Sequence, residues 1–187
     1  MAGAAGFYGT SVQPPCDWPA AEPIKTIRLI LEPLRVAHAD EMVAVLDDRG
    51  LYAHIGGEPP SLDLLRARYA RQAAGRSPDG AHGWLNWIIR AGRSRDVLGA
   101  VQATLSLEDR QLRAELAWIV GVGEQGQGYA TEAAGAVLTW LGSHGVVVVV
   151  AHIDPGHSAS IGVARRLGLT ATGAVVNGET RWVGHPR

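Results

Sequence analysis

A glycine-rich segment carries the residue types and spacing best suited to chemistry in this sequence. Four glycines occur within eight residues, at positions 121, 123, 126 and 128. They follow a β-type segment, Leu112–Val120, and a helical pattern, Ala130–Ser143, begins directly after them. The first N–H groups of a helix lack intrahelical partners and carry partial positive charge. Glycine has no Cβ, so an anion can approach this backbone closely. We therefore predict a pyrophosphate site at Gly126 and Gly128.

The residues after the last glycine argue against a P-loop. A P-loop places a lysine at that point. Here Tyr129 and Ala130 follow Gly128, and the single lysine of the chain is Lys25. The segment therefore does not predict P-loop nucleotide binding.

A dinucleotide fingerprint is the stronger alternative. Gly121, Gly123 and Gly126 spell G-x-G-x-x-G after a strand, and Asp154 ends the next strand. That aspartate lies farther along than the roughly 20 residues at which a ribose-binding acid is expected. Too little chain follows to build a doubly wound sheet. NAD binding is therefore the weaker interpretation.

The same segment resembles the loop of the GNAT superfamily of N-acetyltransferases. The residues QGQGYA at 125–130 match its Q/R-x-x-G-x-G/A signature. With TEA at 131–133 they are similar to the G-x-G-Y-A-T-E-A form of the branch that includes ribosomal-protein N-terminal acetyltransferases. Three further stretches resemble that branch in the right order: RLILEPL at 28–34, ELAWI at 115–119, and DPGHSAS at 154–160 with LGL at 167–169. The resemblance spans about residues 26–183.

The resemblance implies a fold, a cosubstrate and a binding site. The fold would be a single mixed α/β domain at 25–187, flanked by helices. Its mostly antiparallel sheet would splay between the fourth and fifth strands, 112–120 and 146–153. Acetyl-coenzyme A would bind in that notch, without a metal. The implied cofactor-binding residues are Trp118, Ile119, Val120, Gln125, Gly126, Gln127, Gly128, Tyr129, Ala130 and His157.

The resemblance also implies a reaction, in which a primary amine attacks the thioester directly. The amine must lose a proton, and the leaving thiolate needs a proton or a hydrogen bond. By resemblance, Ser160 is the candidate that assists the thiolate. Glu115 is the first candidate base and Glu179 the second.

Three positions depart from the family's pattern. His157 stands where an asparagine usually contacts the cofactor arm, so it is expected to be structural or to contact the cofactor. Leu169 replaces a phenylalanine, which changes packing. Ala164 stands where many members have a tyrosine that protonates the thiolate. That tyrosine's absence leaves Ser160 as the nearest motif-matched hydroxyl.

The acceptor site carries no motif. Trp84 and Trp87 lie three residues apart on one strand, so their side chains point to opposite faces and at most one lines a pocket. Carboxylates in the early loops would suit a cationic amine. Candidate residues near an acceptor are Asp47, Asp48, Glu58, His54, His82 and His152.

The elements that position these residues follow from periodicity and turn signals. Helical patterns occupy 37–46, with Val43, Ala44 and Leu46 toward the core, and 61–73, with Ser61 as N-cap. Strands are predicted at 26–31, 83–90, 97–107 and 112–120, the last three as an antiparallel meander. The remainder is predicted as a loop at 54–60, a strand at 146–153, a helix at 158–167, and a hairpin at 174–183 turning at Asn177-Gly178.

Composition limits the class of protein. The chain has 187 residues, 47% hydrophobic and 19% charged, and a net charge of −1. This suits one globular domain and provides no general field for nucleic acid. The single cysteine, Cys16, excludes an internal disulfide. Residues 1–24 show neither the helical nor the strand-like hydrophobic periodicity. We therefore predict a loosely ordered extension, packed on the domain through Trp18. We expect a cytoplasmic protein with no membrane or nucleic-acid partner, and a homodimer stays open.

Two alternatives to an acetyltransferase remain within this interpretation. The donor could be a larger acyl-CoA, since nothing marks the size of the acyl pocket. The chain could also be a catalytically silent acyl-CoA-binding domain, because the tyrosine acid is missing. Small amines, antibiotics and protein N-termini are all acceptors compatible with the sequence.

Overall fold

The computed structural model describes residues 17–186, which form one sheet of eight strands in the order β1-β2-β3-β4-β5-β6-β8-β7. Neighbouring strands are antiparallel except β5 and β6, which run parallel. The strands are β1 Ile24–Lys25, β2 Leu29–Pro33, β3 Gly83–Ala91, β4 Val97–Glu108, β5 Gln111–Val120, β6 Val146–Ile153, β7 Thr170–Val176 and β8 Glu179–Gly184.

Five α-helices flank the sheet within these residues. They are α1 Ala39–Leu46, α2 Tyr52–Ile55, α3 Leu62–Gln72, α4 Tyr129–Ser143 and α5 Ser158–Arg166. Short 3-10 turns occupy Val36–His38, Arg49–Leu51 and Val122–Glu124. No helix in the described range is long and apolar enough to span a bilayer.

The sheet separates two cores. On one face α4 and α5 pack over the centre of the sheet, with Val137, Leu141 and Ala164 buried against Leu116 and Leu85. On the other face α1 and α3 cover the β2–β4 side of the sheet. That second core consists of Ala39, Met42, Leu46, Leu51, Leu65, Tyr69 and Ile88. The second face is therefore covered only in part.

The parallel pair opens at one end. β5 pairs with β6 from Leu112 to Glu115, where Glu115 lies opposite Val150. Beyond this point β5 continues to Val120 beside β4, while β6 continues to Ile153 beside β8. The predicted splay between 112–120 and 146–153 is confirmed.

The hairpin turn predicted at Asn177-Gly178 has the expected backbone, and the β4–β5 turn at Asp109-Arg110 has the same type. Asn177 and Gly178 have φ values of 52° and 87°, and Asp109 and Arg110 have 50° and 63°. Positive φ at both central residues is the mark of a type I′ turn, whose twist matches that of the flanking strands. The antiparallel meander β3–β4–β5 is confirmed in register.

The first predicted strand, 26–31, is wrong at its start. The chain reverses there, since β1 pairs with β2 and Ile24 lies opposite Leu31. The carboxylate of Glu132 holds this turn by accepting from the Thr26 hydroxyl at 2.6 Å and the Arg28 N–H at 2.9 Å. A residue about a hundred positions away fixes the reversal, so local periodicity could not show it.

The helix predicted at 37–46 is present, and it begins at Ala39 after a 3-10 turn at Val36–His38. Leu46 is buried and Val43 packs against the core as predicted, whereas Ala44 is exposed. Ala39 and Met42 complete the buried face. The second helix begins as predicted, because the Ser61 hydroxyl accepts from the Leu64 N–H.

A buried arginine ties α1 to the sheet. Arg90 on β3 is 8% exposed and donates to the carboxylates of Glu32 at 2.7 Å and Glu41 at 2.7–2.8 Å. Those hydrogen bonds hold the pKa of both carboxylates below the ordinary value. Burial lowers the pKa of the neighbouring His38. The cluster is a paired, buried ionic group that fixes α1.

The segment just before β1 lies along the domain rather than free of it. The indole of Trp18 donates to the Gly80 carbonyl at 3.0 Å, and the Glu22 carbonyl accepts from Trp87 at 2.7 Å. Trp18 thus packs on the domain, and residues 17–23 lie against it. Residues 1–16, including Cys16, lie outside the described residues.

Candidate functional site

A cavity of about 880 Å³ lies at the open end of the parallel pair. This volume is within the range of small-molecule and cofactor sites. Its walls come from the glycine loop, the end of β5, α5 and the α2 segment. The lining includes Arg28, His54, Trp118, Ile119, Val120, Gln125, Gly126, Gln127, Gly128, Ala130, His157, Ser160 and Arg166.

Two glycines shape the loop wall. Gly126 and Gly128 have φ values of 77° and 79°, and Gly128 is the N-cap of α4. Side chains rarely adopt this left-handed backbone. Within the described residues, the N–H groups of Gly126, Gln127 and Gly128 have no hydrogen-bond acceptor. Together with the first turn of α4 they form a surface of unpaired N–H donors, which is chemically suited to an anion.

The other two glycines of the loop, Gly121 and Gly123, do not contribute to the cavity wall. A Cβ on Gly121 would lie 3.1 Å from Val45, and a Cβ on Gly123 would meet nothing within 4 Å. Neither residue lines the cavity. The G-x-G-x-x-G spacing therefore does not form one phosphate cradle, which removes the geometric basis of the dinucleotide interpretation.

Two arginines that sequence reasoning did not assign to the site, Arg28 and Arg166, line the same cavity. Arg28 donates to Glu132 at 2.6 Å and to the Gln127 carbonyl at 2.9 Å, and it lies 4.9 Å from the Tyr129 ring centre. Arg28 belongs to the RLILEPL block at 28–34, and this family-like motif is the sequence feature that could have indicated its place in the site. Glu132 balances the charge of Arg28, whereas Arg166 has no ion-pair partner among residues 17–186.

Glu132 holds Arg28 in place. Burial raises the pKa of the Glu132 carboxyl, but hydrogen bonds from Thr26 and from the Arg28 N–H and guanidinium outweigh it, and the net pKa is lowered. The carboxylate is therefore ionised at neutral pH and fully engaged. It supports the loop and does not compete for an anion.

The end of β5 presents backbone groups to the gap. Gly121 donates its N–H to Leu98 on the β4 side. Backbone direction alternates along an antiparallel strand, so Ile119 also faces β4, whereas Trp118 and Val120 face the gap. The Val120 carbonyl already accepts from the Gln125 side chain at 3.1 Å. The Trp118 groups and the Val120 N–H are thus the groups of β5 that can meet an extended ligand.

His157 caps α5 and faces the cavity. Its Nδ1 accepts from the Ser160 N–H at 3.3 Å, the capping role that an asparagine can also fill. Burial, and then the nearby charge of His54, lowers the pKa of His157. With Nδ1 accepting, the neutral ring carries its proton on Nε2.

His54 packs on His157. Their ring centres are 4.5 Å apart, and His54 Nδ1 lies 3.3 Å from the Asp154 carboxylate. The predicted loop at 54–60 begins with the last residues of α2, and this short helix carries His54 to the cavity. The histidine therefore links α2 to the β6–α5 turn.

Ser160 lines the cavity one turn into α5. Its N–H is held by His157, and its hydroxyl has no hydrogen-bond partner among residues 17–186. A serine hydroxyl can donate one bond and accept two. The group is therefore able to hydrogen-bond an atom inside the cavity.

Glu115 lies on the other side of the sheet. Its neighbours Ala114 and Leu116 face the α4 core, so its own side chain points to the opposite, partly open face. The carboxylate is 58% exposed and lies 3.0 Å from His152 Nδ1. It is also the last residue of β5 that pairs with β6, directly where the gap begins. Glu115 does not line the large cavity.

Several other predicted residues lie away from the cavity. Trp87 is buried against Trp140, whereas Trp84 is half-buried on the open face, as their spacing predicted. Glu179 follows the turn into β8, and His82 lies in the loop before β3. The cavity lining includes none of the acceptor candidates Asp47, Asp48, Glu58, His82, His152 and Glu179.

Comparison with known proteins bears on this arrangement. Residues 28–170 match the sequence model of a family described as an acetyltransferase (GNAT) domain. A comparison with curated protein sequences gave no match.

Solved structures share the fold at low identity. RimL, a ribosomal L7/L12 alpha-N-protein acetyltransferase in complex with coenzyme A, is 17% identical with a TM-score of 0.72, over 88% of this chain and 98% of that one. An acetyltransferase from Agrobacterium tumefaciens is 24% identical with a TM-score of 0.68, over 90% and 96%. A GNAT-family acetyltransferase from Bacillus anthracis is 15% identical with a TM-score of 0.71, over 88% and 99%.

Proposed function

This chain belongs to the acetyltransferase (GNAT) domain family, and we propose that it transfers an acetyl group from acetyl-CoA to a primary amine. The observation that carries the proposal is the large cavity. It combines unpaired loop N–H groups, two arginines and strand-like backbone at one end of the sheet. A pyrophosphate suits the N–H groups at the start of α4. A peptide-like arm suits the exposed backbone of Trp118 and Val120, which lacks a neighbouring strand.

The proposed reaction is direct transfer. The amine nitrogen bonds to the thioester carbonyl carbon, the C–S bond breaks, and the amine proton leaves through a base. A backbone N–H in the gap stabilises the oxyanion, as donors aimed at developing charge do. Coenzyme A leaves as a thiolate that gains a proton or a hydrogen bond.

Glu115 and Ser160 take the two proton-handling roles in this proposal. Glu115 lies on the open face where β5 and β6 part, and its carboxylate can accept the amine proton. Ser160 lies on the cavity side with a free hydroxyl that can donate to the thiolate. Their placement on the two sides of the gap supports approach of acceptor and donor from opposite faces.

The proposed acceptors are primary amines of three kinds: small amines, antibiotics and protein N-termini. RimL, an alpha-N-protein acetyltransferase of ribosomal L7/L12, has a similar fold, and this supports including protein N-termini. A larger acyl donor is the nearest alternative for the same cavity, and a silent acyl-CoA-binding domain is the other.

A binding measurement tests the cosubstrate first. A ligand that binds only the folded state raises its stability in proportion to RT ln(1 + [L]/Kd). Acetyl-CoA at millimolar concentration is expected to raise the melting temperature, and NAD at equal concentration is expected to leave it unchanged. The opposite pattern would overturn the acetyl-CoA assignment.

Turnover is tested by thiol release with acetyl-CoA and a panel of amines. Succinyl-CoA in a parallel series tests for a larger donor. Release that depends on an amine supports the enzyme, whereas tight CoA binding without release from any amine favours the silent domain.

A further inference from the structure

A second, smaller cavity of about 220 Å³ opens on the partly covered face of the sheet. Its walls are the C-terminal half of α3 and the neighbouring part of β3 and β4. The lining residues are Arg68, Arg71, Gln72, Trp84, Asn86, Gln102, Ala103 and Thr104. Neither the proposed binding of acetyl-CoA nor the proposed proton transfers by Glu115 and Ser160 involve this cavity.

The charge of this cavity has one sign. Its lining holds two arginines and no carboxylate. Neither Arg68 nor Arg71 has an ion-pair partner among residues 17–186, whereas Arg66 on the same helix contacts Asp40 at 2.6 Å. Guanidinium groups without a carboxylate partner are suited to bind an external carboxylate or phosphate.

Neutral polar groups surround the two arginines. Asn86, Gln102 and Thr104 point into the cavity from alternate positions of β3 and β4, since Leu85, Val101 and Ala103 face the α4 core. Gln72 and Gln102 contact each other at 3.4 Å. Trp84 adds a flat apolar wall. This lining can hold a small polar group of fixed shape.

Strand register connects the cavity to the candidate base. Trp84 lies opposite Thr104, and Thr104 lies opposite Glu115. Neighbouring strands are about 4.8 Å apart, so the Trp84 backbone and the Glu115 backbone are separated by about 10 Å. An extended peptide covers about 3.3–3.6 Å per residue. A chain whose amine lies at Glu115 therefore reaches Trp84, which shares the cavity with the two arginines, with about its third residue.

We propose that this cavity selects the acceptor, and that the preferred acceptor is a primary amine carrying a carboxylate or phosphate about three residue lengths from its nitrogen. The inference rests on the proposed acetyl transfer and narrows its substrate class. Arg68 and Arg71 bind the acidic group, and Trp84 packs against the connecting segment. The acceptor's amine lies beside Glu115 at the gap.

The test compares three peptides that differ at one position. They are Ala-Ala-Glu-Ala, Ala-Ala-Gln-Ala and Ala-Ala-phosphoserine-Ala, each with an amidated C-terminus so that the third side chain is the only acid. Acetylation by wild-type protein gives kcat/KM for each. We expect one of the acidic peptides to exceed the glutamine peptide by about tenfold or more. The choice between glutamate and phosphoserine distinguishes a carboxylate from a phosphate ligand.

Arginine variants assign the preference to this cavity. In Arg68→Gln/Arg71→Gln, the ratio of acidic to neutral kcat/KM is expected to fall toward one. The control Arg66→Gln/Arg165→Gln removes the same number of charges at positions outside both cavities and is expected to keep the ratio. A wild-type ratio near one, or a ratio that survives the Arg68→Gln/Arg71→Gln change, would overturn the proposal.

A peptide-binding experiment tests the role of this cavity independently of whether the protein acetylates any peptide. The same peptides are titrated into CoA-saturated protein while the Trp84 indole signal, assigned with Trp84→Phe, is followed by NMR. Preferential binding of an acidic peptide, abolished by Arg68→Gln/Arg71→Gln, supports the cavity's role even when no peptide is acetylated. Equal binding of all three peptides overturns it even when acetyl-CoA turnover is confirmed.

Discussion

The two cavities, one at the gap between β5 and β6 and one on the partly covered face of the sheet, are formed by different chemical groups. The larger one presents main-chain N–H groups from one continuous segment, 125–131, with Arg28 and Arg166 beside it. The smaller one depends on side chains from α3, β3 and β4, which are separated along the chain. Anion binding by main-chain N–H groups requires glycines and the start of a helix, and both can be recognised in a short stretch of sequence. Side-chain chemistry needs partners that only folding brings together.

The first prediction tests whether the gap between β5 and β6 is the site of catalysis. Glu115→Gln removes the proposed base but can still hydrogen-bond His152. At neutral pH we expect kcat to fall by about 10²-fold and to recover partly as pH rises, because more acceptor is then unprotonated. The pH–rate profile of acetyl transfer measures this. The matched variant is Glu179→Gln, and if it loses the rate instead, the base belongs to the final hairpin.

The second prediction tests the main-chain character of the larger cavity. Gly128→Val places a branched side chain at a φ of 79° where the loop must be left-handed. We expect the Kd for CoA, measured by calorimetry, to rise more than about tenfold while the fold survives. Gly123→Val is the control, because its Cβ would meet nothing within 4 Å and its φ is not positive. Unchanged affinity in a folded Gly128→Val protein contradicts the loop assignment.

The third prediction tests the side-chain contribution to the larger cavity. If Ser160 assists the thiolate, Ser160→Ala should lower kcat by about tenfold, with little change in the KM for acetyl-CoA, because the hydrogen bond matters mainly in the transition state. Steady-state kinetics at saturating acceptor measure both constants. Ser160→Thr keeps a hydroxyl and is expected to retain more activity than the alanine variant. Wild-type kcat in Ser160→Ala removes this residue from the mechanism.

The smallest expected effect concerns the helix cap at the cavity edge. The pKa of His157 is lowered from the ordinary 6.5, so the unfolded chain takes up its proton at a higher pH than the folded chain. Stability therefore falls as pH drops below about 6.5 toward the folded pKa. His38 contributes in the same direction, and the lowered carboxylates act only at lower pH.

The change His157→Asn isolates this contribution. Asparagine keeps the cap without a titrating ring, so the loss of stability between pH 7 and pH 5 should become shallower. Urea unfolding across this range measures the slope. An unchanged slope would show that the cap does not titrate in this window.

Much of the fold could be predicted from local patterns. The Asn177-Gly178 turn, the meander β3–β5, the Ser61 cap and the strand at 146–153 all agree with the structure. The strand predicted at 26–31 was wrong at its start because of a distant contact. Glu132, about a hundred positions along the chain, fixes the reversal at Thr26 and Arg28.

The sequence by itself determined the loop and the helix that follows it, and the resemblance of its motifs indicated the family of the chain. The loop and the helix depend on dihedral preferences and unpaired N–H groups within a few residues of one another. The tertiary structure alone decided that His54 packs on His157, that Arg28 crosses to the loop, and that Arg68 and Arg71 share a cavity with Trp84. Such pairings depend on strand order and on which sheet face a helix covers. Neither is encoded in the spacing of the residues concerned.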